Sequence, residues 1–218
     1  MIHIKAFAFN PFAENTYVLY DETKEAVIID PGCISQAERD TLAGFIESEG
    51  LKVVKLINTH CHIDHVLGNS FVKKTYGVEL GANEIEAETT LAMAPAHAQG
   101  FGMTEYEHAT PDYFINEGDR IKFGNSELNT LFVPGHAPGH LAFVSYSQKF
   151  VIGGDVLFRG SIGRVDLPGG DINALLDSIK TKIFSLGNDY IVYPGHGEPT
   201  DVAFEKENNP FCGARAIR

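Results

Sequence analysis

The chain has 218 residues, of which 44% are hydrophobic and 21% charged, so it can bury one sizeable core and is expected to form a single domain over residues 1–218. Its net charge of -12 argues against nucleic-acid binding, because phosphate contacts require a surplus of Lys and Arg on one face, and no stretch approaches the roughly 18 apolar residues of a membrane helix. The first residues lack the basic start and apolar core of a signal peptide, and three scattered cysteines are too few for a disulfide framework, so we expect a cytoplasmic protein with reduced thiols.

Apolar and β-branched runs separated by turn residues predict strands in the first part of the chain. These strands are 2–9, 15–20, 26–30 and 52–58. A helix is expected between the last two strands, because Ser35 and Glu38 form an S-x-x-E capping box and Gly50 supplies a stop. A second helix is predicted over 66–76, ended by Gly77.

The second half of the chain repeats this plan of sheet followed by helix. Its predicted strands lie near 120–123, 126–133, 141–146 and 149–153. A helix should begin at Asp171 and carry one apolar face. That face is formed by Ile172, Leu175, Leu176, Ile179 and Ile183. Two mixed sheets packed face to face with helices outside would give an α/β fold, a four-layer αββα sandwich.

The segment 83–112 has no clean apolar period and is predicted to consist of helical pieces joined by flexible turns. Its position between groups of potential ligands makes it a candidate lid or pocket wall. A surface packing loop fits the sequence equally well.

Four potential metal ligands stand in six positions directly after the apolar run 53–57. They are His60, His62, Asp64 and His65. Side chains alternate along an extended turn, so His60 and His62 should project to one side, with Asp64 and His65 following about one helical turn later. Without a cation, such a cluster would repel itself when protonated. One short loop can therefore offer two ligands to one metal and two to a neighbour.

Three later apolar runs each lead through a glycine-containing turn to one ligand-type residue. Residues 131–133 run into Pro134-Gly135-His136, residues 150–152 into Gly153-Gly154-Asp155, and residues 190–193 into Pro194-Gly195-His196. If the loop at 59–65 is a metal site, these strand ends supply the ligands that it still needs.

These motifs, in this order, resemble the metallo-β-lactamase superfamily of hydrolases, and within it the short, single-domain members of the glyoxalase II-like group. The resemblance implies the four-layer fold and two divalent metal ions. Zinc is the expected metal, and iron and manganese are the alternatives. Carried over by position, it assigns His60, His62 and His136 to one ion, Asp64, His65 and His196 to the other, and Asp155 to both.

Such a centre would perform hydrolysis without a serine or cysteine nucleophile. Two divalent ions about 3.5 to 4 Å apart can lower the pKa of a shared water from about 15.7 to about 7, which gives hydroxide at neutral pH. Asp64 and Asp155 would be the catalytic carboxylates. The expected substrate is a small ester, thioester or lactone, and the resemblance favours a thioester of the S-2-hydroxyacylglutathione type. Authentic glyoxalase II enzymes carry an extra carboxyl-terminal helical region that helps hold glutathione, whereas this chain ends at Arg218, so another thioester fits as well.

Two other functions fit parts of the same ligand set. Persulfide dioxygenases resemble this chain and would hold a single ferrous ion on His60, His136 and Asp155, a triad that leaves positions open for oxygen and a thiolate. A lactonase or other ester hydrolase would use the same two-metal chemistry. A non-catalytic metal-binding module is disfavoured because no ligand is missing.

Three further residues near the motifs have two interpretations each. Cys61 lies between two ligands, but alternation points it away, so it is interpreted as a buried thiol and excluded from the site. His140 could hydrogen-bond a ligand or be a plain loop histidine. Arg164, in the glycine-rich loop 157–171, could bind a substrate carboxylate or pair with Asp166 to brace the loop.

Overall fold

The computed structural model describes residues 1–216 as two mixed β-sheets packed face to face, with helices on the outer faces. The first sheet has six strands in sequence order. They are β1 (His3–Phe9), β2 (Glu14–Tyr20), β3 (Glu25–Ile29), β4 (Lys52–Ile57), β5 (Leu80–Ala82) and β6 (Tyr113–Phe114). β1 to β3 pair antiparallel, and β3 to β6 pair parallel.

Eight further strands follow along the chain. They are β7 (Arg120–Phe123), β8 (Ser126–Phe132), β9 (Leu141–Ser145), β10 (Phe150–Gly154), β11 (Leu157–Phe158), β12 (Ser161–Ile162), β13 (Ile191–Pro194) and β14 (Thr200–Asp201). β11 and β12 form a small hairpin, and the others form the second sheet in the order β14-β13-β10-β9-β8-β7. In this sheet β10 and β13 run parallel, and the other neighbours run antiparallel.

The helices lie between and after these strands. They are α1 (Gln36–Ser48), α2 (Ile63–Val66), α3 (Asn69–Tyr76), α4 (Glu84–Glu88), α5 (Thr90–Gly100), α6 (Ile172–Ser178) and α7 (Val202–Asn208). A π turn at Ile179–Ile183 and a 3-10 turn at Phe184–Leu186 continue α6. Within residues 1–216, no helix has the length and apolar character needed to cross a bilayer.

The apolar core forms three layers, which follow from the alternation of side chains along each strand. On β2, Tyr17 and Leu19 face the layer between the sheets, whereas Val18 faces the layer under the helices. On the outer face of the first sheet, α1 and α3 contribute Leu42, Ile46 and Val72. On the outer face of the second sheet, α6 and its continuation contribute Leu175, Ile179 and Ile183. The predicted four-layer αββα sandwich is confirmed.

The helix boundaries follow the predicted capping chemistry. Ser35 and Glu38 form the expected capping box at the start of α1, with each side chain accepting from the backbone N–H of the other. Asp171 caps α6 by accepting from the N–H groups of Asn173 and Ala174. Gly77 ends α3 in the left-handed conformation, with a φ of 64°.

The prediction of one helix over 66–76 is wrong in its bounds. Helix starts three residues earlier, at Ile63, and breaks between α2 and α3 near Gly68. A Cβ at Gly68 would lie 2.6 Å from Sγ of Cys33, so the chain passes Cys33 there too closely for a side chain. Strands β5, β6 and β14 and helix α7 are short elements that the apolar pattern did not predict.

Candidate metal centre

The ligand-type residues follow strands whose ends meet at one edge of the sandwich. The motif loop follows β4, His136 follows β8, Asp155 follows β10 and His196 follows β13. The two sheets are joined at this edge, because the N–H of Asn15 donates to the carbonyl of Gly195 at 2.7 Å. This edge brings together all seven residues that the sequence assigned to metal ions.

The first group consists of His60, His62 and His136. Nε2 of His136 lies 2.9 Å from Nδ1 of His62 and 3.3 Å from Nε2 of His60. His60 and His136 are almost fully buried, at 1% and 2% exposure. The three rings therefore direct one nitrogen each to a common point, with His60 and His62 on the same side of the extended turn.

The second group consists of Asp64, His65 and His196. Oδ2 of Asp64 lies 3.1 Å from Nε2 of His196 and 3.7 Å from Nε2 of His65. Asp64 and His65 share the single turn of α2, which starts directly after His62. The switch from extended chain to helix within the motif thus divides its ligands between two groups.

Asp155 lies between the two groups. Its Oδ1 is 3.5 Å from Nε2 of His65, and its Oδ2 is 3.5 Å from Nε2 of His136 and 3.6 Å from Nε2 of His196. The neighbouring Gly195 is essential to this arrangement, since a Cβ there would lie 2.1 Å from Oδ1 of Asp155. One carboxylate can therefore reach an ion in either group.

Backbone carbonyls fix the tautomer of two of these histidines. Nδ1 of His136 lies 2.8 Å from the carbonyl oxygen of Arg164, and Nδ1 of His196 lies 3.1 Å from that of Phe12. A carbonyl oxygen can only accept, so each Nδ1 carries a proton and donates it. Nε2 of each ring is then the nitrogen available to bind a metal.

Asp30 orients two more histidines. Its Oδ2 lies 3.1 Å from Nδ1 of His65 and accepts the hydroxyl hydrogen of Thr59. Because that hydrogen is committed to Asp30, the hydroxyl oxygen of Thr59 accepts from Nδ1 of His60 at 3.1 Å. Both rings therefore turn Nε2 towards the centre.

Asp30 was not predicted from the sequence, although it also lies at a strand end. In Ile28-Ile29-Asp30-Pro31-Gly32 the ligand-type residue directly follows the apolar run and precedes the breaker, which is the reverse of the order at the three later strand ends. Asp30 also lies within 4.8 Å of the ligand atoms of His60 and His65. Its two oxygens, however, already accept from the N–H and hydroxyl of Thr59, so it orients the metal-binding residues from behind.

The first group fits a cation. His60 and His136 both turn an Nε2 lone pair into the 3.3 Å space between them. Burial lowers the pKa of His60 and His136, and it lowers the pKa of His62 to about 3. The rings therefore stay unprotonated at neutral pH, and the lone pairs of His60 and His136 repel each other. A divalent ion bound by the three imidazoles would remove this repulsion.

The second group carries protons that a metal ion would displace. Burial alone would lower the pKa of His65, but the charges of Asp64 and Asp155 raise it well above its ordinary value. The pKa of His196 is also raised, because its bond to Asp64 and the charge of Asp155 outweigh burial. The pKa of Asp155 itself is lowered, since the charge of His65 outweighs the effect of burial. Ionised carboxylates beside imidazoles are a suitable donor set for a divalent cation.

His140 contacts two members of the centre. Its Nε2 accepts the backbone N–H of Asp155 at 3.1 Å, and its ring stacks on that of His60 with centroids 4.6 Å apart. The side chain is fully buried. It therefore supports the ring of His60 and the backbone of Asp155, which a plain loop histidine would not do.

Cys61 lies outside the metal groups, and the side chain of Arg164 is paired within its own loop. Cys61 is buried in an apolar cluster with Leu91 and Ala94, where burial raises the pKa of its thiol. The Arg164 guanidinium donates two hydrogen bonds of 2.7 Å to the carboxylate of Asp166, and both side chains are exposed. Arg164 nevertheless lines the cleft above the centre, and its carbonyl holds His136.

A cleft of about 490 Å³ opens over the centre. His62, Asp64, His136, Asp155 and His196 lie along it. Its walls include Phe158 and Leu167, and the rings of Phe12 and Phe101 stack edge to face there with centroids 5.3 Å apart. His97 of α5 and Phe101 belong to the segment 83–112, so this segment forms part of the pocket wall.

The sequence is similar to enzymes with two different activities. It is 37% identical over 216 residues to hydroxyacylglutathione hydrolase GloC of Haemophilus influenzae. The alignment covers 99% of this chain and 100% of that protein. It is also 35% identical over 182 residues to the mitochondrial persulfide dioxygenase ETHE1 of Mus musculus. That alignment covers 83% of this chain and 63% of the mouse protein.

A solved structure and a family match also cover nearly the whole chain. The crystal structure of TTHA1623 in a di-iron-bound form has a TM-score of 0.84 to this chain at 32% identity, with coverage of 95% of this chain and 99% of the other. Residues 9–196 match the metallo-beta-lactamase superfamily, a range that ends at the last predicted ligand. This chain belongs to the metallo-beta-lactamase superfamily.

Proposed function

We propose that the chain is a dinuclear metal-dependent hydrolase that cleaves a thioester of the S-2-hydroxyacylglutathione type. The observation that carries this proposal is the position of Asp155, whose two oxygens face His65 on one side and His136 on the other. A carboxylate shared in this way suits two ions held close together. The 37% identity to a hydroxyacylglutathione hydrolase supports the thioester as substrate.

The proposed ligands divide by position. His60, His62 and His136 would hold one ion, and Asp64, His65 and His196 the other, with Asp155 between them. When bound, two divalent ions would activate a water molecule and polarise the thioester carbonyl. Zinc is the proposed metal, with iron and manganese as alternatives, because imidazole and carboxylate ligands suit all three.

The protein groups around the cleft have distinct tasks in this proposal. Asp64 and Asp155 both line the cleft, so these carboxylates are placed to hold a proton of a water molecule that two bound ions would activate. The aromatic walls exclude bulk water from the reacting carbonyl. Cys61 is no candidate nucleophile, since it is buried outside the cleft.

The proposed partner is a small molecule. The cleft is of the size that holds small ligands, and the net charge of -12 disfavours nucleic acid. Cys33, Cys61 and Cys212 are all buried and unbonded, which suits a reducing compartment such as the cytoplasm.

A persulfide dioxygenase is the second candidate function. Nε2 of His60 and Nε2 of His136 are 3.3 Å apart, and Nε2 of His136 is 3.5 Å from Oδ2 of Asp155. These three residues would form a 2-His-1-carboxylate site for one ferrous ion. The identity to a persulfide dioxygenase supports this function. The complete second group favours the hydrolase, because a mononuclear enzyme needs no ligands there.

Metal content measured together with two assays separates these functions. Purified protein is analysed for bound metals, then assayed for cleavage of S-lactoylglutathione and for oxygen uptake with glutathione persulfide. About two ions per chain with thioester cleavage is the expected result. One iron per chain, with oxygen uptake and no cleavage, would establish the dioxygenase instead.

A further inference from the structure

A buried carboxylate on α4 joins the two loops that carry the first ligand group. Oε2 of Glu86 accepts the N–H of Cys61 at 2.9 Å, and Oε1 accepts the N–H of Gly139 at 2.8 Å. The Glu86 side chain is fully buried. Both acceptor oxygens are thus used on backbone groups of two separate loops, 25 and 53 residues away in sequence.

The two N–H groups lie next to residues of the centre. Cys61 stands between His60 and His62, and Gly139 directly precedes His140. His140 in turn holds the backbone of Asp155 and stacks on His60. Glu86 therefore holds the backbone next to His60, His62 and His140. It does not itself line the cleft over the centre.

The approach of α4 to the second loop is close and specific. A Cβ at Gly139 would lie 2.6 Å from Oδ1 of Asn83, the residue that caps α4, and 2.9 Å from Cγ of Glu86. Any other residue at position 139 would push the loop away from Glu86. The glycine and the carboxylate together fix how far apart the two loops stand.

The loops are also linked directly by a backbone hydrogen bond, in which the N–H of Leu141 donates to the carbonyl of Thr59 at 2.7 Å. That bond lies where β9 begins and β4 has just ended. Glu86 supplies a second point of attachment between the two loops, on the side of α4.

We infer that Glu86 is a positioning residue for the first metal ion: it sets the distance between the loop of His60 and His62 and the loop of His136. The second group is less directly connected to Glu86, because Asp64 and His65 lie on α2, His196 follows β13, and the shared Asp155 is reached only by way of His140. The inference depends on the metal centre of the proposed function and not on its substrate.

The test measures zinc affinity by competition with a chelator in two backgrounds that each keep one ligand group. His196→Ala disrupts the second group, and His62→Ala disrupts the first. Glu86→Gln is then added to each, which replaces one acceptor oxygen by a donor that opposes a backbone N–H. We expect zinc binding to weaken about 10- to 100-fold in the His196→Ala background and several-fold less than that in the His62→Ala background.

Asp21→Asn is the matched control. Asp21 is also a buried carboxylate that accepts two backbone N–H groups, from Thr23 and Asn125, but it lies at the far end of β2 from the centre. Its substitution should lower the melting temperature and leave zinc affinity unchanged in both backgrounds. A general loss of stability is thereby separated from an effect on the first ion.

Equal weakening in both backgrounds, or none in the His196→Ala background, would overturn the inference. So would the absence of zinc binding by the His196→Ala protein itself. If Glu86→Gln does not fold, Glu86→Asp keeps both acceptors but withdraws them by one methylene, and the same selective weakening is expected. Because no substrate is used, failure of thioester cleavage leaves this test intact.

Discussion

Nε2 of His65 and Oδ1 of Asp155 face each other at 3.5 Å, and both atoms are buried without a hydrogen-bond partner among residues 1–216. A buried polar atom left unpaired is unfavourable by about 1–3 kcal/mol. Two such atoms pointing into one space indicate that a further group belongs between them. In a centre of imidazoles and carboxylates, that group is a metal ion.

Replacing Asp155 by Ala should remove both ions. Asp155 faces Nε2 atoms in both ligand groups, so its loss leaves two incomplete sites. We expect metal content well below one ion per chain and loss of thioester cleavage, checked by elemental analysis and a cleavage assay. Asp189→Asn, at a surface carboxylate paired with Lys149, is the control and should keep two ions. Two ions in Asp155→Ala would refute the shared role.

Acidification should release the ion of the second group first. The pKa values of His65 and His196 are raised in the metal-free protein, so an ion there must displace protons across the neutral range. The pKa of His62 is about 3, so an ion in the first group displaces none from that ring until far lower pH. Metal analysis after dialysis from pH 8 to pH 5 should therefore pass through a one-ion form. Simultaneous loss of both ions would contradict this.

Without metal, the protein should be more stable at mildly acidic pH than above neutrality, whereas acid weakens metal binding. A histidine whose folded pKa lies above its unfolded value of about 6.5 stabilises the fold fully below that value, and its contribution is lost as pH rises through the folded pKa. His65 and His196 both belong to this class. The melting temperature of metal-free protein should thus fall as pH rises above about 6.5. His65→Gln should flatten this dependence, and an unchanged slope would argue against the raised pKa.

The sequence predicted those parts of the fold and site that depend on local periodicity. Alternation along an extended turn placed His60 and His62 on one side, and strand ends with glycine turns located His136, Asp155 and His196. The capping box of Ser35 and Glu38 located the start of α1. These signals act over a few residues and can be read directly.

The residues that the sequence did not reveal act through tertiary contacts. Glu86 lies in a segment without a clean apolar period, and its partners are set by how α4 docks on two distant loops. The break at Gly68 depends on Cys33, 35 positions away in a different turn. Asp30 also lies at a strand end, but its contacts with Thr59 and His65 require the pairing of β3 with β4.

Two variants distinguish a role of Arg164 in substrate binding from a role in bracing its loop through the ion pair with Asp166. If the guanidinium binds a substrate carboxylate, Arg164→Ala should raise KM for S-lactoylglutathione about tenfold, which is the loss of one charge-assisted hydrogen bond. Metal content should not change, because His136 is held by the backbone carbonyl of Arg164 rather than by its side chain. Steady-state kinetics and metal analysis check both parts.

Asp166→Ala provides the discriminating comparison for Arg164. It removes the same ion pair but leaves the guanidinium free to bind substrate. We expect KM to stay the same or fall. An equal rise of KM in both variants would mean that the pair only braces the loop, as the alternative interpretation of the sequence holds.

Glu205 should control substrate binding without affecting the metals. Its carboxylate is fully buried on α7, where it accepts the N–H of Gly160 at 3.0 Å and the amide of Asn209 at 2.7 Å. Asn209 also donates to the carbonyl of Ser161 at 3.0 Å. These bonds hold the β11-β12 hairpin, which places Phe158 and Ile162 in the cleft wall. In Glu205→Gln, one acceptor becomes a donor facing another donor, which should lower stability by about 1–3 kcal/mol.

The kinetic result expected for Glu205→Gln is a raised KM with two ions still bound. The hairpin shapes the cleft wall but carries none of the proposed metal ligands, so the chemical step should be less affected than binding. Glu207→Gln, at an exposed carboxylate of the same helix paired with Arg215, is the matched control and should change neither KM nor stability. A fall in metal content in Glu205→Gln would show that the hairpin also supports the centre, because Gly163, just beyond it, packs against the carbonyl of Asp155.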